Sequence, residues 1–102
     1  MINYKKIIKD CFWDLDIKDK DIDDILKGSD FRRKKFLFSK ILLNSTSILL
    51  DLQIFEDNEL KIMIEEYRVP QFNHDYIFRR KNIVEVYFLD KPLLIEELKW
   101  VA

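Results

Sequence analysis

This chain of 102 residues has one Gly, two Pro, one Cys and one His. Each shortage excludes something. A glycine-rich phosphate cradle needs several glycines, and a tetrahedral zinc site needs more ligands than one Cys and one His. The lone Cys11 cannot form an internal disulfide, so a reducing compartment is the expected setting. Long apolar runs are missing too. The longest uncharged stretch, Ile41 to Leu50, is about half of a membrane span. Residues from Met1 to Phe12 include Lys5, Lys6, Lys9 and Asp10 and hold no apolar stretch of signal-peptide length. A cytoplasmic protein with no membrane contact is expected. Asn44-Ser45-Thr46 matches a glycosylation sequon, but in such a chain it reads as a loop that caps a helix.

What is present is 48% apolar, 14% aromatic and 36% charged. At this length about two-thirds of the unfolded surface can be buried, enough for one core without metal or disulfide. There is no repeat, low-complexity stretch or Gly/Ser linker, so a single domain spanning residues 1–102 is expected.

Net charge is −1, and its distribution matters more than its size. Residues 31–55 hold five cations and one acid, whereas residues 1–30 and 56–69 are net acidic. Two basic clusters stand out, Arg32-Arg33-Lys34-Lys35 and Arg79-Arg80-Lys81. Converging, they would make a patch for a phosphate backbone or an acidic partner; apart, they are solvated helix faces. Arg32, Arg33, Arg79, Arg80 and Lys81 are the expected partner or phosphate contacts.

Apolar periodicity predicts helices almost throughout. Tyr4, Ile7, Ile8, Cys11, Phe12 and Leu15 form one stripe. A second helix fits Asp19 to Lys27, with Ile22, Ile25 and Leu26 inward and Gly28 ending it in a left-handed conformation. Ser29 or Asp30 caps a third, reaching about Asn44, with Phe31, Phe36, Leu37, Phe38, Ile41 and Leu42 on a broad apolar face. Ile48 to Phe55 fits either a helix or a strand, and a short helix is preferred. Asp57 or Asn58 caps a fifth helix through Tyr67, with Leu60, Met63, Ile64 and Tyr67 inward. Asn73 caps a sixth, in which Tyr76, Ile77, Ile83, Val84, Tyr87 and Phe88 repeat at helical spacing. Ile83 to Leu89 also has the β-branched and aromatic content of a strand. Pro92 would open a last helix, Leu93 to Trp100. The expected fold is all-α, with six or seven short helices.

No catalytic pattern emerges. A calcium loop laid from Asp19 has Asp24 where the turn needs Gly and Asp30 where it needs Glu, so the run Asp14, Asp16, Asp19, Asp21, Asp23 and Asp24 reads as helix N-terminal acids. Gly28-Ser29 resembles the opening of a nucleotidyltransferase site, but no carboxylate pair spaced by one residue follows it. Arg68 and His74 suggest the Arg–His pair of helical ribonucleases, yet Pro70 intervenes and His74 fits the first, partly exposed turn of a helix. A nuclease built on Asp90 and Glu97 requires strands that Pro92 opposes. Only His74 could serve a Ser or Cys nucleophile as base. No cofactor or metal is expected.

Among the aromatics, Phe12, Phe38, Phe55, Tyr67, Tyr76, Tyr87 and Phe88 fall on inward stripes. Phe31, Phe36, Phe72 and Trp100 are harder to place, and exposed together they would form a partner surface.

Phe12-Trp13-Asp14-Leu15-Asp16 is the most distinctive string. With Lys35-Phe36-Leu37-Phe38-Ser39-Lys40-Ile41-Leu42 and the segment Arg79 to Phe88, it resembles a family of small bacterial helical proteins. Members are often encoded beside nucleotidyltransferase toxins of the abortive-infection type. Where that family shows Asn-Phe-Trp, this chain has Asn82-Ile83-Val84. The resemblance implies a genetic neighbour and a partnership with it, and carries over no activity or catalytic residues. Read from the residues alone, Trp13 packs in the core, and Trp13→Ala would lose roughly 3–5 kcal/mol.

The leading expectation is a non-enzymatic protein-interaction module, antitoxin-like towards a nucleotidyltransferase toxin. The alternative is a nucleic-acid-binding regulator in which Asp57–Tyr67 and Asn73–Leu89 form a helix-turn-helix-like pair joined by Arg68 to Phe72. A metal-dependent nuclease using Glu97 is a third reading.

Overall fold

The computed structural model describes residues 4–12 and 16–94. It is all-α: six α-helices and one 3-10 turn, with no strand among the described residues. The chain divides into two compact units, Met1–Glu56 and Asp57–Ala102. None of the described helices is long and apolar enough to cross a membrane.

The first unit contains α1 (Lys5–Cys11), α2 (Asp19–Lys27), α3 (Phe31–Asn44), α4 (Ile48–Asp51) and the 3-10 turn Leu52–Ile54. The amphipathic stripe of α1 is realised in Tyr4, Ile7, Cys11 and Phe12, all buried. Helix α2 has the predicted limits, and Ile22 and Ile25 are buried. Asp21 accepts the backbone N–H of Lys18 at 2.9 Å, a helix-start contact that accounts for one acid of the run. Asp23 is paired with Lys27 at 2.7 Å one turn on. Helix α3 is the hub, touching α1, α2, α4 and the 3-10 turn. Its Leu37, Phe38, Ile41 and Leu42 are buried, and each such side chain contributes about 1.5–3 kcal/mol on leaving water. Phe38 meets Phe55 with ring centroids 6.3 Å apart.

Gly28 follows α2 with φ −78 and ψ 177, an extended rather than a left-handed backbone. A Cβ at Gly28 would stand 3.0 Å from the Asp24 carbonyl oxygen, so close approach accounts for the glycine. Asp30 alone caps α3, accepting the N–H groups of Arg32 at 3.1 Å and Arg33 at 3.4 Å. Phe36, expected on the apolar face, is 45% exposed, whereas Lys34, two residues before it, is buried. Segment 48–55 is the preferred helix, ending as a 3-10 turn with Leu52 and Phe55 inward and Leu50 exposed.

A polar cluster closes this unit. Ser45 donates to the buried Asp51 carboxylate, which Lys6 reaches at 3.0 Å. Lys6 also meets Asp10 at 2.8 Å. Asp10 in turn accepts from the Thr46 hydroxyl at 2.8 Å and the Thr46 N–H at 3.2 Å. The Asn44–Ser47 break thus does more than cap: it ties α1 to α4.

The second unit pairs α5 (Asp57–Glu66) with α6 (His74–Leu89). Leu60, Met63, Ile64, Ile77 and Val84 are buried. Asp57 is the first helical residue rather than a cap outside the helix, and Tyr67 lies just beyond the end, half-buried. The connection runs from Tyr67 to Asn73, longer than the turn expected between these helices. Asn73 starts α6 through a left-handed backbone at φ 49, without the expected side-chain cap bond. Segment 83–89 is helical rather than extended. Tyr76 and Tyr87, expected inward, are 54% and 58% exposed.

Asp90 ends α6 in the left-handed region at φ 56, and the Lys91 N–H returns to the Glu85 carbonyl at 3.3 Å. The chain beyond is fastened by buried Asn82, which donates to the Pro92 carbonyl at 3.2 Å and accepts the Leu94 N–H at 2.6 Å. Pro92 to Leu94 are non-helical. The rest of the predicted Leu93–Trp100 helix lies outside the described residues, as do Trp13, Asp14, Leu15, Glu97 and Trp100.

Candidate functional site

Helix α6 is apolar on two sides. Ile77 and Val84, seven apart, take the inner side. Tyr76, Arg80, Ile83 and Tyr87 follow at i, i+4, i+7 and i+11 and share the outer side. The Arg80 guanidinium lies over the Tyr76 ring, 5.4 Å from its centroid. Tyr87 packs edge-on against Phe88, with centroids 4.8 Å apart. Arg79 is exposed at the margin of this face. Lys81 lies on another side of the helix, half-buried, with its ammonium 3.8 Å from Glu85; Lys91 reaches the same carboxylate at 3.7 Å. The three cations of the second cluster therefore play different parts. Arg80 lies over an aromatic ring, Arg79 is the most exposed of the three, and Lys81 is held in an ion pair.

Arg32 and Arg33 are exposed in the first turn of α3. They belong to the first unit, whereas Arg79, Arg80 and Lys81 belong to the second. On the same helix Lys35 sits over the Phe31 ring at 5.1 Å and Lys40 over the Phe36 ring at 5.8 Å. Phe72, in the connection before α6, is 65% exposed.

His74 opens α6 as expected. Its ring stacks on Phe78 with centroids 6.1 Å apart, and its Nδ1 is 3.5 Å from Asp75. Arg68 lies in the connection before α6, so the two do not extend from one helix end. Asp90 occupies a helix C-cap rather than a strand. Among the described residues, no three of His, Cys, Asp and Glu are grouped to hold a metal ion. In the polar cluster of the first unit Ser45 and Lys6 both donate to Asp51, and hydrogen bonds from Lys6 and Thr46 hold the Asp10 carboxyl down at about 2.

The α6 surface was hidden from sequence reasoning because both of its sides carry seven-residue apolar spacing. The heptad pairs Tyr76 with Ile83 and Ile77 with Val84 alike, and periodicity has no means to choose between them. The Tyr76–Arg80 spacing of four was the available signal, since it suits a ring and a guanidinium on one helix face.

Comparison with protein-family models, with curated proteins and with solved structures gives no match.

Proposed function

We propose that this chain is a non-enzymatic protein-interaction module whose partner docks on the outer face of α6. The observation that carries the reading is the run Tyr76, Arg80, Ile83 and Tyr87, two half-exposed tyrosines with an arginine and an aliphatic residue between them. Tyrosine and arginine dominate the energetic centres of protein interfaces because each offers a large contact area with a polar end. The Tyr76 ring holds Arg80 over its face, which lowers the entropy lost when a partner carboxylate binds it. This face carries Arg80 between two tyrosines, while Lys81 is turned to another side and paired with Glu85, so it favours a mixed protein surface over a phosphate backbone. The family resemblance supplies the partner: a nucleotidyltransferase toxin of the abortive-infection type, towards which the chain would act as an antitoxin-like component.

The test is co-expression with the product of the adjacent gene, followed by affinity purification at physiological salt. Co-purification is expected, and Tyr76→Ala with Tyr87→Ala should abolish it while leaving helicity and melting temperature unchanged. A clean negative with the native chain, or full retention by the double variant, would overturn the proposal.

A further inference from the structure

We propose that the strap following α6 exchanges between two copies of this chain and joins them as a reciprocal dimer. The strap is Pro92 to Leu94, and one side chain fastens it. Asn82, buried in α6, donates to the Pro92 carbonyl at 3.2 Å and accepts the Leu94 N–H at 2.6 Å. A carboxamide bonded to both backbone groups that flank one residue recognises extended main chain. It accepts the same segment from a neighbouring copy as well as it accepts its own. Leu93, between the two bonds, is half-buried, while Pro92 and Leu94 are exposed. The strap thus lies at the surface and can leave without unpacking Ile77 or Val84.

The hinge favours exchange. To bring the strap back along α6 the chain reverses at Asp90, whose φ of 56 puts an L side chain in the left-handed region. The N–H groups of Asp90 and Lys91 both turn to one acceptor, the Glu85 carbonyl. With α6 continued through Asp90, that residue takes ordinary helical angles and its N–H bonds the Val86 carbonyl four residues back. Pro92 ends the longer helix, since the residue before a proline prefers extended backbone. Lys91 gives up its 3.7 Å contact with Glu85, which Lys81 still meets at 3.8 Å.

Direction supports the same pairing. In the closed chain the strap runs antiparallel to α6, with Lys91 beside Glu85 and Leu94 beside Asn82. In the opened chain it leaves along the axis of α6. Two copies meeting with their α6 C-termini head on would each lay a strap along the other's α6, again antiparallel, towards Asn82. A two-fold axis closes the pair, because each copy gives one strap and receives one. The bonds at Asn82 are the same in both forms, so hinge strain and protein concentration set the balance.

The strap does not involve the outer face of α6, so this proposal and the docking reading fail separately. The test is sedimentation equilibrium of the intact chain, refolded from urea at a series of concentrations. A dimer is expected as the concentration approaches about 1 mM, the effective concentration of a short tether. Asp90→Gly relieves the closed turn in both copies and should lower the dimerisation constant about fivefold or more. Deleting Asp90 and Lys91 leaves no chain to turn back and should give a dimer at every concentration. Tyr76→Ala with Tyr87→Ala should leave the dimer in place. In a dimer grown from equal amounts of isotope-labelled and unlabelled chains, filtered NOEs should join the Asn82 side-chain amide of one copy to Leu94 of the other. The proposal is overturned by a monomer at every concentration, by an Asp90→Gly chain that dimerises as well as the native one, by a monomeric deletion variant, by a dimer that the two tyrosine substitutions abolish, or by filtered NOEs absent from the dimer.

Discussion

Lys6 and Asp51 meet at 3.0 Å although 45 residues separate them. Asp51 is buried, while the Lys6 side chain keeps 44% of its surface in water. The ammonium thus reaches inward from the surface to a carboxylate that Ser45 also holds. Lys6→Met should cost about 1–3 kcal/mol, because Asp51 would lose its counter-charge in a desolvated place. A double-mutant cycle with Asp51→Asn, read by urea unfolding, should return a coupling of about 1 kcal/mol or more. Strict additivity of the two variants would contradict the pairing.

Asp10 provides a pH signature. Its folded pKa, about 2, lies below the ordinary 3.8, chiefly because Lys6 and then Thr46 hydrogen-bond its charged form. A depressed acid contributes stability that is fully present above its unfolded pKa and is lost as pH falls through the folded one. The contribution is at most about 2 kcal/mol, reduced further by solvent screening at this partly accessible site. Urea unfolding from pH 6 to pH 2 should show stability dropping below about pH 4. Asp10→Asn should be less stable at pH 6 and lose part of that acid dependence. An unchanged acid limb in the variant would refute the assignment.

The placement of the single glycine leads to opposite expectations at two helix ends. Gly28 has a negative φ that alanine can adopt, but the Asp24 carbonyl stands 3.0 Å from where its Cβ would lie. Gly28→Ala should therefore gain little or nothing from the stiffer unfolded chain and lose about 1 kcal/mol or less overall. Asp90 has φ 56, where an L side chain is strained. Asp90→Gly should stabilise by about 0.5–1 kcal/mol, measured as a rise in Tm. A lower Tm for Asp90→Gly would show that its side chain does more than occupy the turn.

Asn82 is buried in α6 and grips the backbone on both sides of Leu93, at the Pro92 carbonyl and the Leu94 N–H. Asn82→Ala should cost about 1–3 kcal/mol and expose the Leu94 amide to rapid hydrogen exchange. Asn82→Asp keeps the acceptor for Leu94 and removes the donor to Pro92, so Leu94 protection should fall less. Equal loss of protection in both variants would mean that the Leu94 bond does not hold the segment.

By itself the sequence determined the helices and most of their inner residues. Ile22 and Ile25, Leu37, Phe38, Ile41 and Leu42, and Leu60, Met63 and Ile64 recur at helical spacing, and burial of apolar area is the strongest term in folding, so their spacing is enough to place them. The cap of α3 was legible to within Ser29 or Asp30 for an equally local reason: the Asp30 carboxylate needs only the N–H groups two and three residues on. The division at Glu56 to Asp57 is unmarked by Gly, Pro or Ser, because it is a property of packing. Tertiary structure alone decided which of two apolar sides of α6 faces solvent, turning Tyr76 and Tyr87 outward. It also turned Lys34 in and Phe36 out on α3, and brought Lys6 to Asp51. Each of these depends on what a second element places opposite the residue, and a local periodicity carries no record of that neighbour.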